Sequence, residues 1–272
     1  MKTFEVNDGS GFKMNYEVIP GVLPETTLFL HGNLASNRWW YPAEKIWSQK
    51  AKGQNLKGSM ILAEFRGAGK SSAPRGQEDI CMHRFAEDFI ALVESLNLDP
   101  VHLVGHSTGG LIAALMLAKA PQLFKKAILL DPVGATGVTF QDAMTEAFEQ
   151  MKVSKELVEV VMGSTIHNND PKSDFFRQIV VEDAFHAVKT VGVGVLRALD
   201  RLDIRGECSK ITHPVLVLHG EHDQLLPMAD SQAMAKLIPN GKFQIIEGQG
   251  HCTNAENPAK FTELVESFAF CH

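Results

Sequence analysis

Residues 105–109 read Gly-His-Ser-Thr-Gly, between the apolar run Val101 to Val104 and the stretch LIAALMLAKA. A match to GxSxG alone recurs by chance, but a strand-like run before it and a helix-like run after it constrain the chain sharply. The serine has to occupy a tight turn from strand to helix, in a backbone conformation few side chains tolerate. Glycines two places either side then let the helix pack close to the strand. The Ser107 hydroxyl is presented above the end of a sheet. A hydroxyl is a weak nucleophile at its own pKa, so chemistry here requires a nearby base, a group that orients the base, and donors for a developing oxyanion.

The remaining chain supplies a sheet for that turn. Short apolar or β-branched runs alternate with amphipathic segments, the pattern of a sheet covered by helices. Strands are predicted at Thr3 to Val6, Phe12 to Val18, Thr26 to Leu30, Ser59 to Ala63, Val101 to Val104, Ala127 to Leu130, Val215 to Leu218 and Lys242 to Ile246. The first two form an antiparallel edge hairpin through the turn Asn7-Asp8-Gly9-Ser10-Gly11. From Thr26 onward a helical stretch follows each strand, which implies right-handed crossovers and a largely parallel sheet. The exception is 138–206, where helices such as Phe140 to Lys152, Lys155 to Met162 and Ser173 to Val181 follow one another with no strand between. The expected organisation is an α/β core of 1–137 and 207–272, with 138–206 inserted as a helical cap. A length of 272 residues suits one core with one insertion.

The segment LVGHSTGG resembles the nucleophile elbow of the α/β-hydrolase superfamily, and the resemblance extends over essentially the whole chain. It implies an α/β-hydrolase fold, a mostly parallel eight-stranded sheet flanked by helices, and a triad in the order nucleophile, acid, histidine. After Ser107, His219-Gly220-Glu221-His222-Asp223 resembles the family's Gly-x-x-Asp turn, with Pro227 following, and Glu247-Gly248-Gln249-Gly250-His251 resembles its Gly-x-Gly-His signature. Asp223 is thereby the expected acid and His251 the expected base. Glu221 is a weaker rival for the acid. Asp131 is another, because some members take their acid from the preceding strand end, although Pro132 makes it look more like a turn residue. Eleven histidines are present, so one by itself would mean little. His222 lacks separate support as a base, and His106 reads as a packing residue of the elbow. Oxyanion donors are expected at the backbone N–H of Thr108 and, from the likeness of His31-Gly32-Asn33 to the family's His-Gly-x element, at the N–H of Asn33. The Asn33 side chain could form the turn or point into the pocket.

Two other likenesses narrow the chemistry. Glu64 to Ser71 fails as a phosphate-binding loop, because GxxxxGK[ST] needs glycine where Glu64 stands. It resembles instead the Asp-x-Arg-Gly-x-Gly-x-Ser loop of capped α/β-hydrolases, with Glu64 replacing aspartate. Serine in the elbow, rather than aspartate, argues against haloalkane dehalogenase or epoxide hydrolase activity.

Composition excludes other classes. The 26 basic and 32 acidic residues give a net charge of −6; with no basic run longer than two residues, there is no footprint for nucleic acid or an anionic membrane. No window approaches the roughly 20 apolar residues of a membrane span. The start, MKTFEVNDGSGFKMNYEV, holds no apolar leader-like stretch, so a cytoplasmic location is expected. Cys81, Cys208, Cys252 and Cys271 lack CxxC spacing and read as free thiols. No metal or cofactor is expected. The partner is a small molecule, taken as a small to medium, mostly apolar ester, with a thioester, an acylglycerol or a carbon to carbon bond as alternatives on the same triad. A slow hydrolase-like ligand receptor is the alternative from another class. The insertion carries Phe140, Phe148, Phe175, Phe176, Phe185, Val191, Val193 and Leu196, some available to line an acyl pocket. Arg177, Lys189 and Arg197 are the only cationic hints of a carboxylate-bearing substrate and read as solvated. Gly192 and Gly194 interrupt a helical pattern, marking either close packing or a movable cap.

Overall fold

The structure is a computed structural model that describes residues 1–52, 58–139 and 142–270. Phe140 and Cys271, named above, lie outside the described residues. The strands are β1 (Lys2–Glu5), β2 (Lys13–Ile19), β3 (Thr26–Leu30), β4 (Ser59–Ala63), β5 (Val101–His106), β6 (Phe124–Leu130), β7 (Val215–Gly220) and β8 (Gly241–Ile246). They form one eight-stranded sheet in the order β1-β2-β4-β3-β5-β6-β7-β8. β1 and β2 pair antiparallel, β2 joins β4 antiparallel, and all later pairs are parallel. Gly9 and Gly11 adopt φ of +74° and +69° in the expected hairpin turn.

The helices are α1 (Tyr41–Lys52), α2 (Met82–Leu96), α3 (Thr108–Lys119), α4 (Asp142–Met151), α5 (Lys155–Thr165), α6 (Val181–Ala187), α7 (Val193–Leu199), α8 (Arg205–Cys208), α9 (Met228–Leu237), α10 (Thr253–Glu256) and α11 (Pro258–Ala269). Covered on both faces, the central strands β3, β5 and β7 are buried at every position, which is why they read as continuous apolar runs rather than alternating ones. α2 buries Met82, Phe85, Ala86, Phe89, Leu92 and Val93, the one-face spacing of a surface helix. α3 is buried from Thr108 to Leu117, so its sequence is apolar all round.

Burial on the two sheet faces fills separate clusters. Phe85, Phe89, Leu111 and Leu115 pack on one side; Phe29, Trp40, Trp47 and Phe261 pack on the other. A third cluster lies at the carboxyl ends of the strands, where Phe148, Met151, Met162 and Phe176 meet Leu34, Trp39 and Cys252. The helices between β6 and β7 therefore sit over the loops that leave β3 and β8, the end of an open α/β sheet at which ligands bind. A π-helical turn at Phe176–Val180 leads into α6, and a second at Val188–Gly192 joins α6 to α7.

Close packing accounts for the two glycines in this region. A Cβ on Gly192 would stand 2.6 Å from Leu34 Cδ2, and one on Gly194 2.3 Å from Ile80 Cδ1. The Arg66 guanidinium is also structural: it donates to both oxygens of Asp88 at 2.7 and 2.8 Å and to Asp8 at 2.8 Å, and lies over the Phe12 ring. This pins the first hairpin to α2. Glu64 accepts from Lys70 N–H at 2.8 Å and Asn15 Nδ2 at 2.9 Å, so it closes its own loop.

Candidate active site

Ser107 sits between β5 and α3 at φ +53°, ψ −120°, a region in which L residues are strained. The glycines beside it are dictated by contact. A Cβ on Gly105 would meet the Gly109 carbonyl oxygen at 2.3 Å, and one on Gly109 would meet the Leu30 carbonyl oxygen at 2.3 Å. Gly32, on the loop after β3, approaches so closely that its Cβ would lie 3.1 Å from Ser107 Cβ. The expected nucleophile and the expected oxyanion loop are thus side by side.

Asp223 and His251 come together from the loops after β7 and β8. His251 Nδ1 lies 2.8 Å from Asp223 Oδ2. The carboxylate can only accept, so Nδ1 carries the proton and Nε2 is left as the basic nitrogen. Asp223 Oδ1 accepts from Leu225 and Leu226 N–H at 2.7 and 3.1 Å. Burial opposes its charge, and the bonds from His251, Leu225 and Leu226 outweigh burial and hold its carboxyl below the ordinary carboxylate value. Glu221 points elsewhere, accepting from Gly248 N–H at 2.9 Å. His222 is half-exposed and packs its ring on His167.

His106 does more than pack. Its Nε2 lies 2.9 Å from the His251 carbonyl oxygen; the carbonyl can only accept, so Nε2–H donates and ties the elbow to the loop of His251. Burial, with the neighbouring His251 charge, lowers its pKa to about 3, which keeps the ring neutral. Nothing in the local sequence marks this role, because the bond spans 145 residues. Glu256 is a second anchor unmarked in sequence: Oε1 accepts from His167 N–H at 2.9 Å and Cys252 N–H at 3.0 Å, and Oε2 from Gly250 N–H at 2.6 Å.

Thr108 opens α3, so its N–H has no partner carbonyl within the helix. In the β3 loop, Asn33 accepts from Leu34 N–H at 3.0 Å and donates from Nδ2 to the Gly192 carbonyl at 3.2 Å. Its side chain therefore shapes the turn and joins it to the overlying helices. His31, fully buried and lowered to about pKa 4 by desolvation, turns Nδ1 to the Gly32 carbonyl at 2.8 Å and stacks on Phe65.

Asp131 proves not to be an ordinary turn residue. It is 0% exposed with φ +42° and accepts from Gly220 N–H at 2.7 Å. One donor atom each from Asp131, Asp223 and His251 fall within 4.8 Å of one another, the grouping among the described residues that could close on a cation. Ser107 and His251 are 8% and 4% exposed. A cavity of about 150 Å³ beside His251 is lined by Ser164, Thr165, His167, Asn168, His222 and Gln224 among others. Arg177 is exposed and donates to the Pro171 carbonyl, while Lys189 lies over the Phe185 ring.

A family model described as alpha/beta hydrolase fold matches residues 27–258. The RutD protein of Caulobacter vibrioides, whose name proposes carbamate hydrolysis, is 24% identical over 94% of both chains. A 2-hydroxymuconate semialdehyde hydrolase of Pseudomonas putida is 25% identical over 77% of this chain and 76% of its own. The structure of an esterase from Exiguobacterium antarcticum superposes with a TM-score of 0.82 at 23% identity, covering 99% of each chain. No helix among the described residues is long and apolar enough to cross a membrane. With a match of this extent and a sheet of this order, the chain belongs to the alpha/beta hydrolase fold family.

Proposed function

We propose that the protein is a serine hydrolase that cleaves a small to medium, mostly apolar carboxylic ester through an acyl-enzyme. The observation that carries this reading is the 2.8 Å contact of His251 Nδ1 with Asp223 Oδ2. It leaves Nε2 free to take a proton in the region where Ser107 is held in its strained turn.

In the first half-reaction, Ser107 Oγ bonds to the carbonyl carbon and its proton passes to His251 Nε2. Asp223 stabilises the imidazolium that results. The former carbonyl oxygen, now negative, is met by the N–H groups of Thr108 and Asn33. Collapse breaks the bond to the leaving oxygen, which departs with the proton from Nε2. Water then adds to the acyl carbon, gives its proton to Nε2, and Oγ leaves with that proton. The apolar cluster under α4 to α7 suits the acyl side of the substrate. The polar cavity of about 150 Å³ beside His251 suits a small, hydrogen-bonding leaving group.

The test is hydrolysis of nitrophenyl esters of increasing acyl length, with an acyl thioester, a lactone, a carbamate and a vinylogous diketone alongside. Short esters are expected to turn over at rates on the order of 1 to 1000 per second. Ser107→Ala should lose that activity with its circular dichroism unchanged. Near wild-type turnover by Ser107→Ala would overturn the proposal, and preference for the thioester, carbamate or diketone would move the substrate class while leaving the nucleophile in place.

A further inference from the structure

Asp131 follows the last residue of β6 and is 0% exposed. Its Oδ1 accepts the Gly220 N–H at 2.7 Å, whereas its Oδ2 is buried with no hydrogen-bond partner. One carboxyl oxygen of Asp131 lies within 4.8 Å of one of Asp223. Two carboxylates sharing a dry site cannot both remain charged at modest cost, because each lacks water to screen it from the other.

The donors around each carboxyl decide which of the two keeps its charge. Asp223 accepts from Leu225 N–H, Leu226 N–H and His251 Nδ1–H; Asp131 accepts only from Gly220 N–H among the bonds identified. Asp223, with more donors, holds the charge and the proton goes to Asp131. The acidities run the same way: burial first, and then the Asp223 charge, push the Asp131 carboxyl well above its ordinary value, while Asp223 lies below. Among the described residues, the histidine facing from β7 does not reverse this. His219, from β7, has Nδ1 3.5 Å from Asp131 Oδ1, but that nitrogen meets Ser231 Oγ at 2.9 Å and burial disfavours its charged form. From the loop of His251 and α10, Glu256 raises the Asp131 value further, and Cys252 is buried and held as a thiol.

We propose that Asp131 is a positioning residue whose neutral carboxyl donates an O–H hydrogen bond from Oδ2 to the Asp223 carboxylate, fixing its orientation and moderating its pull on the His251 imidazole. The catalytic part of this inference rests on the reading of Asp223 and His251 as acid and base. The proton location does not. An additional donor on Asp223 weakens it as a partner for imidazolium, so loss of that donor should move the acidic limb of the rate profile upward.

Two measurements test the inference. Difference infrared spectra of wild type against Asp131→Asn at neutral pH should show a protonated carboxyl C=O band in the wild type alone. In the kcat/KM profile for a short nitrophenyl ester, Asp131→Ala, which removes the donor, should move the acidic limb upward by about one pH unit and lower the plateau about tenfold. Asp131→Asn, whose amide N–H can replace the O–H, should restore the limb to within about 0.3 unit and the plateau to within about threefold. Absence of the carboxyl band overturns the proposal whatever the activities show. A wild-type pH profile in Asp131→Ala overturns its catalytic part. Retained activity in Ser107→Ala, by contrast, would overturn the serine hydrolase reading while leaving the band in place.

Discussion

Gly220 and Gly250 meet so closely that a Cβ on Gly220 would lie 2.0 Å from the Gly250 carbonyl oxygen. Gly220 ends β7 just before the loop that carries Asp223, Gly250 lies in the loop that carries His251, and the contact sets how far apart those loops stand. His222 N–H adds a bond to the Gln249 carbonyl at 2.8 Å across the same junction. Gly220→Ala is therefore expected to destabilise the protein by about 1 to 3 kcal/mol, the range for inserting a methyl group into packed structure. If the loops separate by about 1 Å, kcat falls about 100-fold. Urea denaturation and ester kinetics on the same preparation check both; an unchanged kcat would remove the loop junction from the account of the site.

The strain at Ser107 is separable from its hydroxyl. Ser107→Ala and Ser107→Gly both remove Oγ, but only glycine adopts φ near +53° freely. Residues held in such regions cost about 1 to 3 kcal/mol. Ser107→Gly should thus be inactive and about 1 kcal/mol more stable than Ser107→Ala, once the greater freedom of glycine in the unfolded chain is discounted. Denaturant midpoints of the two inactive variants make the comparison, and equal stabilities would mean that the elbow is unstrained.

Buried neutral histidines predict acid sensitivity. His106 and His31 are lowered by desolvation from 6.5 to about 3 and about 4. The unfolded chain takes up these protons near 6.5 and the folded protein only near 3 or 4. Their contribution is complete above the unfolded value and is lost as pH falls below it, by about 1.4 kcal/mol per pH unit for each histidine. His106→Gln places an amide N–H near the position of Nε2, so it can still bond the His251 carbonyl. It should flatten the decline in stability between about pH 6 and about pH 4 by close to one proton's slope. Parallel declines in the two proteins would show that burial does not hold His106 neutral.

Glu256 should matter more than its distance from the chemistry suggests. Its carboxylate accepts backbone N–H groups of His167, Gly250 and Cys252, joining the segment after α5 to the loop of His251. Glu256→Ala leaves these donors without partners, at about 1 to 3 kcal/mol for each one that stays buried. A stability loss of about 2 kcal/mol or more and a kcat loss of about tenfold are expected. Thermal unfolding and ester turnover test this, and a loss in KM alone would place the effect on the covering helices rather than on His251.

Much of the fold was legible in the residues. All eight strands were recognisable from β-branched and apolar runs, to within about three residues at their ends, because the central ones must be apolar on both faces. The boundary errors arise where pairing extends a strand past its apolar run, as at Phe124, which pairs with Val101 on β5. Ser107, Asp223 and His251 could be singled out as candidates because each sits in a glycine-marked turn, and a turn is a local property of the chain. The readings of His106 as packing and of Asp131 as a turn residue missed their bonds for the opposite reason. Their partners are 145 and 89 residues away.

The sequence by itself determined the elements and the sharp turns, since periodicity, apolar runs and glycines act within a few residues. Tertiary structure alone decided the partners at the site. The strand order β5-β6-β7-β8 lays the ends of β6 and β7 side by side, so Asp131 meets the Gly220 N–H and comes within 4.8 Å of Asp223. Hydrogen bonds between loops depend on which strand ends are neighbours, and neighbourhood in a sheet is set by the packing of the whole chain rather than by any segment of it.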